Sequence, residues 1–233
     1  MNRFKELFNS VALVRGKPVP PLTTIAYETE SVSDGIQLMQ NRANTKFTLI
    51  VKMSANIKGF NDLCEDDKIV LLKAGCPQLW LLQNIINFDI DGKFWRVFIG
   101  EEKATLLRTS VLEGWSDEVI QSHKNFMFSL NAEYNCDMSL IDLLSSIVLF
   151  DPDVPNLVHK TSIKLQQKTY MYLLQRYLEI KHNSKSESET RFKRLMNCLR
   201  ALYPLTQLVR HHFGKALIHP IRVAPLVQEI FEI

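Results

Sequence analysis

Apolar residues recur at intervals of three and four along most of this chain, a period that leaves packed helices as the main way to bury them. Near the start, Phe4, Leu7, Phe8 and Val11 share one helical face. Ile36, Met39, Ala43, Phe47 and Ile50 form a longer stripe behind Ser33 or Asp34, either of which suits an N-cap. That helix is expected to run to about Ile57 and to end near Gly59. Further helical stretches are 69–87, 140–150, 163–181 and a run that starts at Phe192 and keeps its phase past Pro204 through Leu205, Leu208 and Val209. Pro77 falls inside 69–87, so a break into two shorter helices is expected there. With only 8 glycines in 233 residues, few positions suit the tight turns of a β-rich fold or a phosphate-cradling loop.

The connections are legible too. Residues 15–24 hold Gly16, Pro18, Pro20 and Pro21 and read as an extended connection. Residues 88–99 switch toward alternation around Asp91-Gly92, which predicts a small β-hairpin. Residues 182–190 are polar and Ser-rich and read as an exposed loop, and Pro220 to Pro225 sets off a short terminal segment, 226–233. No internal repeat and no second domain emerge. The expectation is one all-α domain over 1–233 with a small β-hairpin.

Composition excludes several functions. A net charge of +3 does not by itself point to a nucleic-acid surface, and Arg191, Lys193 and Arg194 read as a solvated helix face. Cys64, Cys76, Cys136 and Cys198 are scattered, without C-x-x-C pairing, and read as free thiols rather than a zinc site. No uninterrupted apolar run reaches the roughly 18 residues of a membrane span. H-E-x-x-H, G-x-S-x-G, phosphate-loop and dinucleotide motifs are all absent, so no enzyme and no metal site is expected. His211 and His212 are adjacent and face different directions.

Three segments carry a resemblance. The first is Gly59-Phe60-Asn61-Asp62-Leu63 continuing to Asp67, Ile69, Leu71, Leu72 and Lys73. The second is Ser146-Ile147-Val148-Leu149-Phe150-Asp151-Pro152-Asp153-Val154-Pro155, followed by Gln166 and Tyr177. The third is Pro225-Leu226-Val227-Gln228-Glu229-Ile230-Phe231. Together they resemble the ligand-binding domain of nuclear receptors, with the closest look to the vitamin D receptor and the nematode and arthropod steroid-type receptors. Departures are Lys68 for the usual Gln, Val154 for a common Arg, Ala55 for a groove lysine, and Gln83 for an Arg that grips a ligand hydroxyl.

The resemblance implies a three-layer helical sandwich. It implies a domain that binds a lipophilic, steroid-like small molecule and recruits Leu-x-x-Leu-Leu coactivators through its terminal helix. A groove of that kind reads leucines at i, i+3 and i+4. Glu229 would accept from the N-terminal N–H groups of the partner helix, and Lys52, Lys58 or Lys73 would donate to its last carbonyls. Ile69, Leu226 and Ile230 would supply the apolar floor. Trp80, Gln83, Asn87 and Trp95 would line the ligand pocket, with Gln83 and Asn87, four apart, on one helix face. The alternative is that both amides are satisfied in the core and both tryptophans simply pack. No cofactor is expected. The rival readings are a ligand-independent coactivator- or corepressor-binding dimerisation module and a haem sensor using His211 or His212 with a cysteine. The family further implies a nuclear protein with a DNA-binding domain preceding this segment. It implies dimerisation through the 192–213 helix, either with itself or with a retinoid-X-type receptor.

Overall fold

The computed structural model describes residue 9 and residues 24–29, 31–100, 103–112, 115–216 and 223–232. The expected opening helix and the Pro-rich connection fall almost wholly outside these residues. In chain order the elements are β1 (Thr24–Glu28), α1 (Val32–Ala55), α2 (Lys58–Asn61), α3 (Glu65–Gln83), a 3-10 turn (Asn84–Asn87), β2 (Phe88–Asp89), β3 (Phe94–Gly100) and β4 (Lys103–Arg108). A second 3-10 turn (Thr109–Leu112) leads to α4 (Asp117–Tyr134), α5 (Met138–Leu149), α6 (Lys160–His182), α7 (Lys185–Ala216) and α8 (Pro225–Phe231).

The stripe on α1 does what its spacing implies. Ala43, Phe47, Ile50 and Met53 are fully buried, and the helix is capped by Ser31, whose side chain accepts from the Asp34 N–H. The cap lies slightly ahead of the expected Ser33 or Asp34. Helices α3 and α5 form the middle of the molecule. Every residue from Leu140 to Leu149 is buried, as is every residue from Gly75 to Gln83, and a helix buried all round must have helices on both sides. Helix α1 packs on one side of α3, α5 packs α3 against α6, and α7 holds α4 and α6. This is the helical sandwich expected. Residues Glu65–Asn87 are also long and apolar enough to cross a membrane, yet most of that stretch is buried among the other helices.

The break expected at Pro77 is absent. α3 runs unbroken from Glu65 to Gln83 with Pro77 inside it. A proline leaves the carbonyl four residues earlier without its helical donor. That carbonyl belongs to Lys73, and Arg210 on α7 supplies the missing bond, with Nη2 donating to it at 3.3 Å. α7 likewise continues through Pro204. The polar loop expected over 182–190 is reduced to a short turn. Asn183, at φ 49°, is the left-handed cap of α6, and α7 already begins at Lys185.

The hairpin forms, and it is part of a larger sheet than its alternation announced. Phe88 pairs with Trp95 and Asp89 with Phe94. The turn is fixed by the Gly92 N–H donating to Asp89 Oδ1 at 2.8 Å. A Cβ on Gly92 would sit 2.2 Å from the Phe94 ring. β4 then adds antiparallel to β3, and β1 adds parallel to β4, giving the order β1-β4-β3-β2.

Candidate functional site

The terminal helix α8 begins with Pro225 at a first-turn position, where its missing N–H costs nothing. Its two faces separate cleanly. Val227, Ile230 and Phe231 are buried. The Phe231 ring lies 5.7 Å from Phe47 on α1 and 6.5 Å from Trp80 on α3, and those two are 6.3 Å apart in an edge-to-face contact. The helix is therefore pinned by an aromatic trio. Ile230, to which the resemblance gave a place in the groove floor, turns into the core, because it lies three residues from Val227 and beside Phe231.

The outward face carries Leu226, half-buried, with Gln228 and Glu229 exposed. Glu229 Oε1 lies 3.7 Å from Lys73 Nζ. Ile69 is one helical turn before Lys73 and is half exposed. Ile69, Lys73, Leu226 and Glu229 thus sit on the outer surface formed by α3 and α8, two helices packed directly together. Beyond α8, Arg210 links to Glu232 at 3.2 Å while also donating to the Lys73 carbonyl. Lys73 stands beside Glu229 and not across from it. Lys52 is exposed in the last turn of α1, and Lys58 is exposed at the start of α2.

The start of α3 is a polar clamp. Asp67 is fully buried. Its Oδ1 accepts from the Val158 N–H at 2.6 Å, and its Oδ2 from the His159 N–H and lies 3.0 Å from His159 Nδ1. Burial alone would push this carboxyl up, but these donors hold it below its ordinary value. Cys64 Sγ lies 3.5 Å from the same His159 nitrogen. These three side chains have metal-ligand chemistry and lie close together. The carboxylate is already occupied by backbone donors, and its work is to hold the loop after α5 against α3.

A cavity of about 30 Å³ lies behind the aromatic trio, among α1, α3, the sheet, α4 and α7. Trp80, Trp95 and Trp115, all three tryptophans of the chain, are in its wall. Met39, Arg42, Asn84 and His123 line it as well. Trp95 stacks at a tilt on Phe88, 5.0 Å away, and meets His123 edge-on at 5.4 Å. Its indole N–H is buried without an acceptor among the described residues. Burial holds His123 down at about 4, so it is neutral near pH 7.

Of the four expected lining residues, Trp80 and Trp95 are in this wall, and Gln83 and Asn87 are not. Gln83 donates through Nε2 to Ser145 Oγ at 3.0 Å, inside the core. The α-helix stops at Gln83 and gives way to a 3-10 turn. At three residues per turn, positions four apart no longer share a face, so the expected pairing of Gln83 with Asn87 is lost.

Arg42 was the residue missed. It flanks the Met39–Ala43–Phe47 stripe one position before Ala43, and Lys46 follows four residues later. Two cations on the rim of an apolar stripe were the available signal. Burial lowers Arg42 to about 10. Burial, and then the neighbouring Arg42 charge, lower Lys46 to about 7.

No protein-family model matches the chain. Among curated proteins it is 29% identical over 184 residues to the nuclear hormone receptor HR96 of Drosophila melanogaster, covering 79% of this chain and 25% of that protein. It is 24% identical over 187 residues to the nuclear hormone receptor family member nhr-8 of Caenorhabditis elegans, covering 78% of this chain and 32% of that protein. It is 24% identical over 214 residues to the vitamin D3 receptor of Mus musculus, covering 91% of this chain and 47% of that protein. The chain thus spans a quarter to a half of the length of these relatives, which are named as receptors and not as enzymes.

Proposed function

We propose that this chain, a nuclear-receptor ligand-binding domain by sequence and fold, uses the docked α8 to complete a groove for a Leu-x-x-Leu-Leu helix, and that a lipophilic small molecule in the cavity favours the docked position. The observation that carries the reading is the double role of Trp80. It lines the cavity and packs edge-on against Phe231 of α8. A ligand that binds the docked state better than an undocked one shifts the population toward it, and Trp80 is the side chain through which the two states differ.

On the outer face, Glu229 would accept from the unpaired N–H groups at the partner's first turn, with Ile69 and Leu226 beneath the leucines. Lys52 or Lys58 would donate to the last carbonyls. Lys73 would orient Glu229. In the whole protein this domain would serve a nuclear transcription factor, acting as a homodimer or beside a retinoid-X-type receptor, with DNA contacted by another part. Glu229→Ala tests the clamp. The expected result is loss of fluorescent Leu-x-x-Leu-Leu peptide binding by more than about tenfold with the fold unchanged, and undiminished affinity would overturn it.

A second reading is favoured by the cavity's size. Ligand pockets run to roughly 300–1,000 Å³, whereas this one is about 30 Å³. A core so nearly filled suits a module that docks its partner constitutively. Peptide affinity measured with and without an added lipophile separates the two readings.

A further inference from the structure

Cys64, Asp67 and His159 converge on one point away from both the groove and the cavity. Cys64 is the N-cap of α3, Asp67 lies in the first turn of that helix, and His159 is the N-cap of α6. Their ligand atoms all lie within 4.8 Å of one another. The sulfur and the carboxylate address the same ring nitrogen, with Sγ 3.5 Å and Oδ2 3.0 Å from His159 Nδ1. In a nucleophilic relay, the nucleophile and the acid meet opposite nitrogens of the imidazole. Three ligand atoms turned on one spot are instead the arrangement found around a single cation.

We infer that this cluster binds a zinc(II) ion through Cys64 Sγ, His159 Nδ1 and Asp67 Oδ2, with water in the fourth position. The mixed sulfur, nitrogen and oxygen set selects zinc over magnesium and calcium, which take oxygen ligands. Zinc lies about 2.3 Å from a thiolate and about 2.0–2.2 Å from an imidazole nitrogen or a carboxylate oxygen, so tetrahedral angles set sulfur and nitrogen about 3.5 Å apart and nitrogen and oxygen about 3.3 Å apart. The chain already holds the first pair at 3.5 Å and the second at 3.0 Å, so only a small shift of the ring is needed. Asp67 has capacity for the role. An ionised carboxylate offers about four acceptor sites, and the Val158 and His159 N–H groups take two of them. Burial would push this carboxyl up, but its donors hold it below its ordinary value, so it is anionic at neutral pH. On binding, the Cys64 thiol releases its proton to solvent. His159 offers the Nδ1 lone pair and carries its proton on Nε2, on a ring that is half exposed. Thiolate, carboxylate and zinc(II) sum to zero charge, so no net cation is set against the positive end of the α3 dipole. The ion would tie the start of α3 to the loop before α6, the two segments that Asp67 already joins.

Cobalt(II) is the direct probe, because it occupies zinc sites and absorbs through a sulfur-to-metal charge-transfer band when a thiolate binds it. Titrated onto the purified, reduced and chelator-treated chain, cobalt(II) should raise that band to saturation at one equivalent, and zinc(II) should bleach it. Cys64→Ser should remove the band. His159→Gln should weaken cobalt(II) binding by at least about tenfold, the least expected for loss of a metal contact. Cys136→Ser, at the exposed cysteine outside the cluster, should leave the band unchanged. Zinc(II) should also raise the thermal midpoint of the native chain and not that of Cys64→Ser, since a ligand of the folded state alone stabilises it. Magnesium(II) should move neither. Absence of the band in the native chain would overturn the site. So would a band that survives Cys64→Ser, cobalt(II) affinity unmoved by His159→Gln, or an equal zinc-induced rise in Cys64→Ser. Both ligand substitutions fall on side chains open to solvent, and circular dichroism checks that each variant is folded.

Discussion

Asp67 and Arg42 are both ionisable side chains drawn into the helical layers, and the molecule treats them differently. Both oxygens of Asp67 are occupied, by two backbone N–H groups and the His159 ring. Arg42, partly buried, has no such partner among the described residues and lines a cavity whose described lining holds no carboxylate. A buried charge that is fully met rigidifies the fold. A partly buried charge that is left unmet carries a desolvation cost without that return. The contrast separates a charge that holds two segments together from one that holds none.

The largest expected effect of a substitution is at Asp67. Asp67→Ala removes the buried acceptor of the Val158 and His159 N–H groups and should cost about 2 kcal/mol in urea denaturation. A loss below about 1 kcal/mol would erase the contrast. Because its folded value is depressed, the Asp67 contribution is present above the ordinary carboxylate range and is lost as pH falls through the lowered folded value.

Acid should reach the cavity side first. His123 titrates near 6.5 when unfolded and at about 4 when folded. Between those values the unfolded chain holds a proton that the folded chain does not, so stability falls as pH drops from about 6.5 to about 4, by up to about 3 kcal/mol. His123→Phe keeps the edge contact with Trp95 and should flatten that part of a stability–pH curve. An unchanged slope would show that His123 is not the source.

Arg42→Met sharpens the comparison by its sign. Removing a charge that lacks a partner should raise stability by about 1 kcal/mol, the opposite of the Asp67 result, and thermal denaturation reads it. Destabilisation by Arg42→Met would mean that Arg42 is held as Asp67 is. The smallest expected stability change is at Glu229. Its side chain is mostly exposed and its contact with Lys73 is long, so Glu229→Ala should move stability by less than about 0.5 kcal/mol while removing peptide binding.

The structural side of this contrast was readable in the sequence. Phe60, Leu63, Asp67 and the Leu71-Leu72-Lys73 run resemble the family signature, and the stripes on α1, α5 and α6 announced buried faces through their spacing. Periodicity reports which side of a helix is inside, and it did so for Phe47 and Ile50. It does not report what neighbouring elements supply. The continuity of α3 through Pro77 depends on Arg210, 133 positions away in the chain, giving its guanidinium to the Lys73 carbonyl. Strand β4 shows no clean alternation, and its place follows from β3 beside it. The cavity was half legible. Trp80 and Trp95 followed from the resemblance, whereas Gln83 and Asn87 rested on a helix that ends before Asn87. Arg42 was passed over because a charged residue next to an apolar stripe usually points to water, and only the packing of α3, the sheet and α7 around it turns that edge inward.

The central claim is that cavity and terminal helix act as one unit through Trp80 and Phe231. The most direct test is the affinity of a fluorescent Leu-x-x-Leu-Leu peptide for the purified chain, measured with and without a saturating lipophile, in the native sequence and in Trp80→Leu. The account predicts that the lipophile tightens peptide binding in the native chain and that Trp80→Leu, still folded and still binding peptide, loses the tightening. Peptide affinity indifferent to the lipophile in both proteins, or equally enhanced in both, would contradict it.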